Sequence, residues 1–273
     1  VRAVAEAFKE LGMGGVQVFE DHDPQMIVAR EIHGMCGRVC VAVLAVNALV
    51  SYMLEVKGEE YWSSLADHVR VHGCPESPED VIELVERFTI RRNRRFLEAK
   101  LRRLRKLRTC PDVVVLALEG NLRLFRSRVA KCLGSPPEAK TVVFSVKMAY
   151  YGLRASGESL RLPEDLPIPV DFRVAYVTYL SQMISVHART PQDAVKAIMS
   201  KPKAARKVWG EVSKLAGIPP LNLDAPVWVI GRYVDLGRRT LVINALRKLG
   251  ITQDLEETRV KKLVDELLYL LPE

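Results

Sequence analysis

The sequence predicts an all-α protein, and three observations carry that reading. Apolar residues recur at helical spacing along most of the chain. Helix-start signals recur as well, at Asp23-Pro24, Ser77-Pro78-Glu79-Asp80 and Ser135-Pro136-Pro137-Glu138. No segment alternates at period two for long; Val113 to Leu118 is the one strand-like run, and it suits a helix equally well. No internal repeat or low-complexity tract interrupts the pattern.

In order, Arg2 to Leu11 is amphipathic and closes at Gly12, with Gly14-Gly15 loosening the join. Asp23 caps a second helix that Pro24 opens. Val39 to Leu54 is apolar but short for a membrane span and carries Asn47 and Ser51, so it reads as a buried core helix. Lys57-Gly58-Glu59 turns into a helix running toward Val71, and the loop from Gly73 to Pro78 leads to one capped at Ser77. Arg91 to Arg108 is the densest charge run, with Leu97, Leu101, Leu104 and Leu107 at helical spacing. It reads either as a phosphate-contacting helix or as a solvated outer face.

Composition narrows the function. The 273 residues carry a formal net charge of +8, which favours a polyanionic partner, though ribosomal, membrane-surface and thermophilic proteins share that balance. Asn and Gln are scarce beside Lys, Arg and Glu, as in proteins from hot environments. The cysteines at 36, 40, 74, 110 and 132 match neither a zinc nor an iron–sulfur spacing and read as reduced thiols of an intracellular protein of the cytoplasm or nucleoid. The N-terminal stretch is amphipathic rather than signal-peptide-like.

The chemistry centres on residues 135 to 171. Ser135 and Glu138 have capping-box spacing with Pro136 at the first helical position, which puts Lys140 in the second turn near the positive end of the dipole. If desolvated as well, a lysine there is driven toward the neutral, nucleophilic amine. Phe144 follows one turn later on the same face; a snorkelling surface lysine above a core ring is the plain alternative. Asn121 to Ala130, the turn at Gly134 and the next helix form a helix-hairpin-helix at about residues 122–152, a geometry that holds a DNA phosphate on backbone N–H groups. Pro163, Pro167 and Pro169 then enforce an extended run that ends where Asp171 stands at a helix start, where an ordinary N-cap is the plain reading.

A hairpin lysine followed by Pro-Val-Asp at a helix head resembles the helix-hairpin-helix DNA glycosylases, and most closely the archaeal 8-oxoguanine DNA glycosylase family, AGOG. The matching segments are Asp23-Pro24-Gln25, Asn47 to Tyr52, Gly58 to Trp62, Lys140 to Phe144, Pro167 to Asp171, Gly217 to Asp224, and Trp228. The hairpin lacks the Gly-x-Gly turn of the wider superfamily, and nothing beyond Gly237 is recognised, so the tail is expected to differ from the family. The resemblance implies a helix-hairpin-helix glycosylase fold of two helical lobes around a central cleft. It implies a single all-α unit, with a C-terminal helical extension at about residues 238–273. It also implies a bifunctional enzyme that flips out and excises 8-oxoguanine and then cleaves the abasic site. Lys140 would be the nucleophile, with Lys147 its rival two turns on, and Asp171 the charge stabiliser. Trp62 and Phe144 would sandwich the base, Gln25 and Asp224 read its edges, and Trp228 donate one N–H. Ser51 and the Pro169 carbonyl complete the expected pocket. The implied partner is DNA containing 8-oxoguanine, with no membrane, no metal or organic cofactor, and a monomeric chain expected. Two other readings stay open: a non-catalytic helix-hairpin-helix nucleic-acid-binding protein, and a monofunctional glycosylase for another damaged purine.

Overall fold

Caps, prolines and glycines divide the chain into helices in the computed structural model, which describes residues 1–273. In chain order these are α1 (Arg2–Asp21), α2 (Pro24–Cys36), α3 (Cys40–Ala48), α4 (Gly58–His72) and α5 (Pro78–Arg92). There follow α6 (Leu97–Arg108), α7 (Asp112–Glu119), α8 (Leu122–Leu133), α9 (Lys140–Ala155), α10 (Phe172–Leu180) and α11 (Pro191–Ser200). The last are α12 (Pro202–Ala216), α13 (Asp224–Gly231), α14 (Arg239–Lys248), α15 (Ile251–Asp254) and α16 (Glu257–Leu267). There is no strand, and Val113 to Leu118 lies in α7. No helix is long and apolar enough to cross a membrane; the apolar run at Val39 yields only α3, wholly buried.

The chain forms two compact units, one of residues 1–23 and 164–273, the other of residues 24–163. In the first, Phe8 and Phe19 of α1 share a core with Val177 of α10, Trp209 of α12, Ile230 of α13 and Leu263 of α16. The Trp209 indole N–H donates to Thr178 Oγ1 at 2.8 Å, so this buried polar tip has its partner. Helix α1 bends at Gly12, whose φ of 68° interrupts an otherwise continuous helix. Residues 238–273 pack into this unit: Val242, Leu246 and Leu267 belong to its core, and the Leu270 N–H bonds the Leu180 carbonyl.

The second unit is built on α3 and α9. Gly152 faces α3 so closely that a Cβ there would sit 2.6 Å from the Val41 Cα. Further along the same crossing, Ser145 Oγ donates to the Ala45 carbonyl at 2.9 Å. Helix α5 begins as the sequence predicts, with Ser77 and Asp80 bonding each other's backbone N–H and Pro78 at the first position. Two disulfides, Cys36–Cys74 and Cys110–Cys132, correct the expectation of reduced thiols. Their partners lie 38 and 22 residues apart in sequence, so the fold decides a connectivity that local spacing does not reveal. Intracellular proteins of hyperthermophiles are a known exception to the rarity of such bonds in reducing compartments. Cys40 remains a buried free thiol, its pKa pushed up to about 12 by burial.

Two measurements test this packing. Gly152→Ala is expected to cost about 1–3 kcal/mol in chemical denaturation, because backbone rather than a flexible side chain blocks the methyl. His68 of α4, buried against Phe88 and His72, has its pKa pushed down to about 4, by burial first and then by His72, Arg91 and Arg87. Below pH 6.5 the unfolded chain takes up a proton that the folded chain refuses until about pH 4. Stability is therefore present above pH 6.5 and lost as pH falls from 6.5 to 4, by up to about 3 kcal/mol. A His68→Leu variant should show a correspondingly flatter stability profile over that window.

Candidate active site

Helix α8 is capped by the Asn121 side chain on the Leu124 N–H and ends at Gly134, whose φ of 65° and ψ of 38° reverse the chain. The Ser135 N–H then closes α8 by bonding the Ala130 carbonyl, and Ala139 N–H turns back to the Pro136 carbonyl. The capping box read at Ser135 does not form. Pro137 disfavours helical backbone at Pro136, so α9 starts at Lys140 with Ala139 as its N-cap and no side-chain cap. Lys140 is thus the first residue of the helix rather than a second-turn residue, and its side chain is exposed. The free protein does not desolvate it. Lys147, two turns on, is buried, with its amine 5.1 Å from the centre of the Tyr151 ring.

The same unit brings Trp62 to Phe144. Their ring centroids are 5.9 Å apart and their planes cross at 76°. Two parallel plates around a base need about 7 Å, twice an aromatic contact distance. Without a base the two rings therefore do not stand as parallel plates; they meet edge to face. Trp62 is held in place from behind: Tyr61 packs edge-on against it, and the Tyr61 hydroxyl donates to Asn47 Oδ1 at 2.7 Å. That bond ties α4 to α3, two of the segments that carry the family resemblance. Burial raises the Tyr61 pKa, so the hydroxyl stays a donor at working pH. Gln25 is buried at the second position of α2, and Ser51 Oγ donates to the Ala48 carbonyl where α3 ends.

In the other unit, Pro169 is buried in the extended run that leads to α10. Asp171 is the N-cap of α10, its Oδ1 accepting from the Val174 N–H at 2.9 Å, while Oδ2 has no protein partner. The N-cap reading is thus borne out and still leaves one carboxylate oxygen. Asp224, buried, opens α13, and half-buried Trp228 lies four residues along it. The Arg173 guanidinium stacks 3.9 Å over the Trp228 ring.

Arg91 to Arg108 is not one charged face. The run spans the end of α5, a turn, and α6, and two of its cations point inward. Lys100 is fully buried, and Arg103 Nη1 donates both to the Leu49 carbonyl at 3.0 Å and to Thr141 Oγ1 at 2.9 Å. Arg103 therefore clamps the backbone two residues before Ser51 to the residue after Lys140. Residues 100, 103 and 107 share one helical stripe, and that spacing by itself is a sign that the two cations face the core.

A family model, AGOG, described as N-glycosylase/DNA lyase, matches residues 5–263. The chain belongs to this family. The match runs well past Gly237, so the tail does not set the chain apart. The N-glycosylase/DNA lyase of Aeropyrum pernix is 35% identical over 244 residues, spanning 85% of this chain and 82% of that protein. The one from Pyrobaculum aerophilum is 31% identical over 239 residues, spanning 87% and 88%. The crystal structure of the 8-oxoguanine DNA glycosylase from Pyrobaculum aerophilum, complexed with 8-oxoguanosine, matches with a TM-score of 0.71 at 27% identity. That match covers 96% of this chain and 94% of the other, and the family's all-α glycosylase fold is the fold of this chain.

Arg103→Met should separate positioning from binding. With the Thr141 bond gone, turnover on lesion-bearing DNA is expected to fall on the order of 10-fold with KM nearly unchanged. Stability should drop by about 1–3 kcal/mol, because the buried Leu49 carbonyl loses its donor.

Proposed function

We infer that the protein is a bifunctional DNA repair enzyme that excises 8-oxoguanine and then cleaves the abasic site it has made. Membership in a family of N-glycosylase/DNA lyases supports the two activities, and the likeness to a glycosylase holding 8-oxoguanosine supports the base. The observation that carries the reading is an exposed lysine at the first residue of the second hairpin helix, on the same helix as Phe144 of the aromatic pair. A purely DNA-binding hairpin has no use for that pair beside an amine.

In the reaction, DNA covers Lys140 and strips its water, so that the neutral amine attacks C1′ of the deoxyribose as the oxidised base departs. Asp171, with its unbonded Oδ2, takes the lysine proton and faces the positive charge that develops at the sugar. Opening of the sugar gives a Schiff base between Nζ and C1′; loss of a C2′ proton then expels the 3′ phosphate by β-elimination. This chemistry requires no metal and no organic cofactor. Trp62 and Phe144 part from their edge-to-face contact to take the extruded base between them. Gln25 accepts from the N7–H that oxidation creates, and ionised Asp224 accepts from N1–H and N2–H2. Ser51, the Pro169 carbonyl and the Trp228 N–H are assigned the remaining edge contacts. The chain acts as a monomer on DNA within the cell.

Borohydride reduction tests the scheme. The protein should form a covalent adduct with DNA containing 8-oxoguanine, and Lys140→Gln should abolish the adduct and slow strand cleavage by at least about 10³-fold. Base release without an adduct in the unaltered protein would mean a monofunctional glycosylase. An adduct that survives in Lys140→Gln would give the role to Lys147, whose buried amine makes that outcome the less favoured one.

A further inference from the structure

Phe96, in the turn between α5 and α6, is 63% exposed and has φ 54° and ψ 35°. This is the left-handed region, where a Cβ crowds the following carbonyl and bulky residues are rare. An exposed ring gains no burial to offset that conformation. The turn is held from beneath. Asn93, fully buried, donates from Nδ2 to the Val50 carbonyl at 3.0 Å. Buried Lys100 donates to the Asn93 carbonyl at 3.2 Å and to its Oδ1 at 2.5 Å, with its amine 5.0 Å from the centre of the Tyr52 ring. The Phe96 carbonyl accepts from the N–H groups of Ala99 and Lys100. Met53, which follows Tyr52, is a second exposed apolar residue at positive φ, 49°, with 52% exposure. Two of the chain's three non-glycine residues at positive φ are thus exposed apolar side chains on segments tied into one buried network. Phe172 and Tyr269 are comparably exposed but have ordinary backbone conformations.

The surroundings select the partner. Arg91, Arg92, Arg94 and Arg95 are all exposed, and no acidic residue lies among them. None of the four forms an ion pair; Arg94 bonds only the Ile90 carbonyl. An apolar ring among unpaired guanidinium groups fits a partner that is both a polyanion and a stack of flat apolar faces, which is duplex nucleic acid. A second copy of a chain with net charge +8 is repelled by the same patch.

We propose that Phe96, supported by Met53, enters the base stack of duplex DNA and fills the space that the extruded nucleotide leaves. The inference rests on the glycosylase reading. Its logic is that the backbone of the turn is fixed before DNA arrives, so that little freedom of the turn is lost on binding. The segment 49–53 that the network braces also carries Ser51, so the ring is anchored to the backbone that borders the expected pocket.

Glycine accepts the backbone of residue 96 without strain, so Phe96→Gly removes the ring and spares the fold. The assay compares cleavage of single-stranded and duplex oligonucleotides carrying 8-oxoguanine, together with the fluorescence of 2-aminopurine placed beside the lesion. Phe96→Gly is expected to melt at or above the unaltered protein and to cleave the single strand at the same rate. On duplex it should be at least about 10-fold slower, with the fluorescence rise lost, and Phe96→Trp should restore both. Equal cleavage of duplex by Phe96→Gly, or equal loss on both substrates, overturns the proposal. So does a dimer in sedimentation that Phe96→Gly dissolves, since the ring would then serve a second copy. If the unaltered protein cleaves neither substrate, the glycosylase reading fails by itself, and the fluorescence comparison on the same duplex still decides the wedge.

Discussion

Helix α9 passes α3 with no room for a side chain at Gly152, and the placement of the hairpin lysine follows from that closeness. Pairing of Ser145 with Ala45 and of Gly152 with Val41 runs the two helices antiparallel. From Val142 to Leu153 nearly every residue of α9 is buried, so the helix can neither slide nor turn without opening the core. Its first turn is the part left outside. A nucleophile placed there inherits the rigidity of a core helix while staying accessible to a large substrate. Lys147, on the same helix, shows the opposite outcome: the packing that fixes Lys140 buries Lys147.

The head of α9 is held from a second direction by α6. Arg103 takes the free carbonyl of Leu49 and the hydroxyl of Thr141, and Asn93 takes the carbonyl of Val50. Carbonyls at the end of a helix need partners, and here α6 and the turn before it supply them with groups that also reach the head of another helix or the next turn. Cations that composition alone assigns to a DNA-binding face are in part internal braces. What remains outside without an ion pair, Arg91, Arg92, Arg94, Arg95 and Arg102, is available to phosphates.

Much of this is legible in the residues, and the departures share a cause. The start of α5 at Ser77, the cap at Asn121, the reversal at Gly134 and the cap at Asp171 are local matters, set by one side chain on one turn of backbone. Helix α9 starts later than capping-box spacing implies because the restriction that Pro137 puts on Pro136 outweighs that spacing. The disulfides, the edge-on meeting of Trp62 and Phe144, and the inward turn of Arg103 are all distant pairings. Cys36 meets Cys74 across 38 residues, and Arg103 meets Thr141 across 38 as well. Spacing within one helix carries no information on what lies opposite. It does tell which face a residue is on, and for Lys100 and Arg103 that is enough to question a solvated stripe.

Lys100 shows what the buried network is for. Its pKa is pushed down to about 8, first by burial and also by Arg95, against an opposing pull from Glu55. A lysine whose folded pKa lies below its unfolded value destabilises the fold while charged; that cost is full below about pH 8 and disappears as pH rises toward the unfolded value of 10.5. At neutral pH the protein therefore carries an expensive buried cation whose bonds, to Asn93, hold a turn that is itself strained at Phe96. Apolar residues of similar volume would stabilise the same space better. Neither feature serves stability, and together they fix one turn in one conformation. Residues that oppose the fold but agree with one another on a geometry are what a pre-organised binding surface requires.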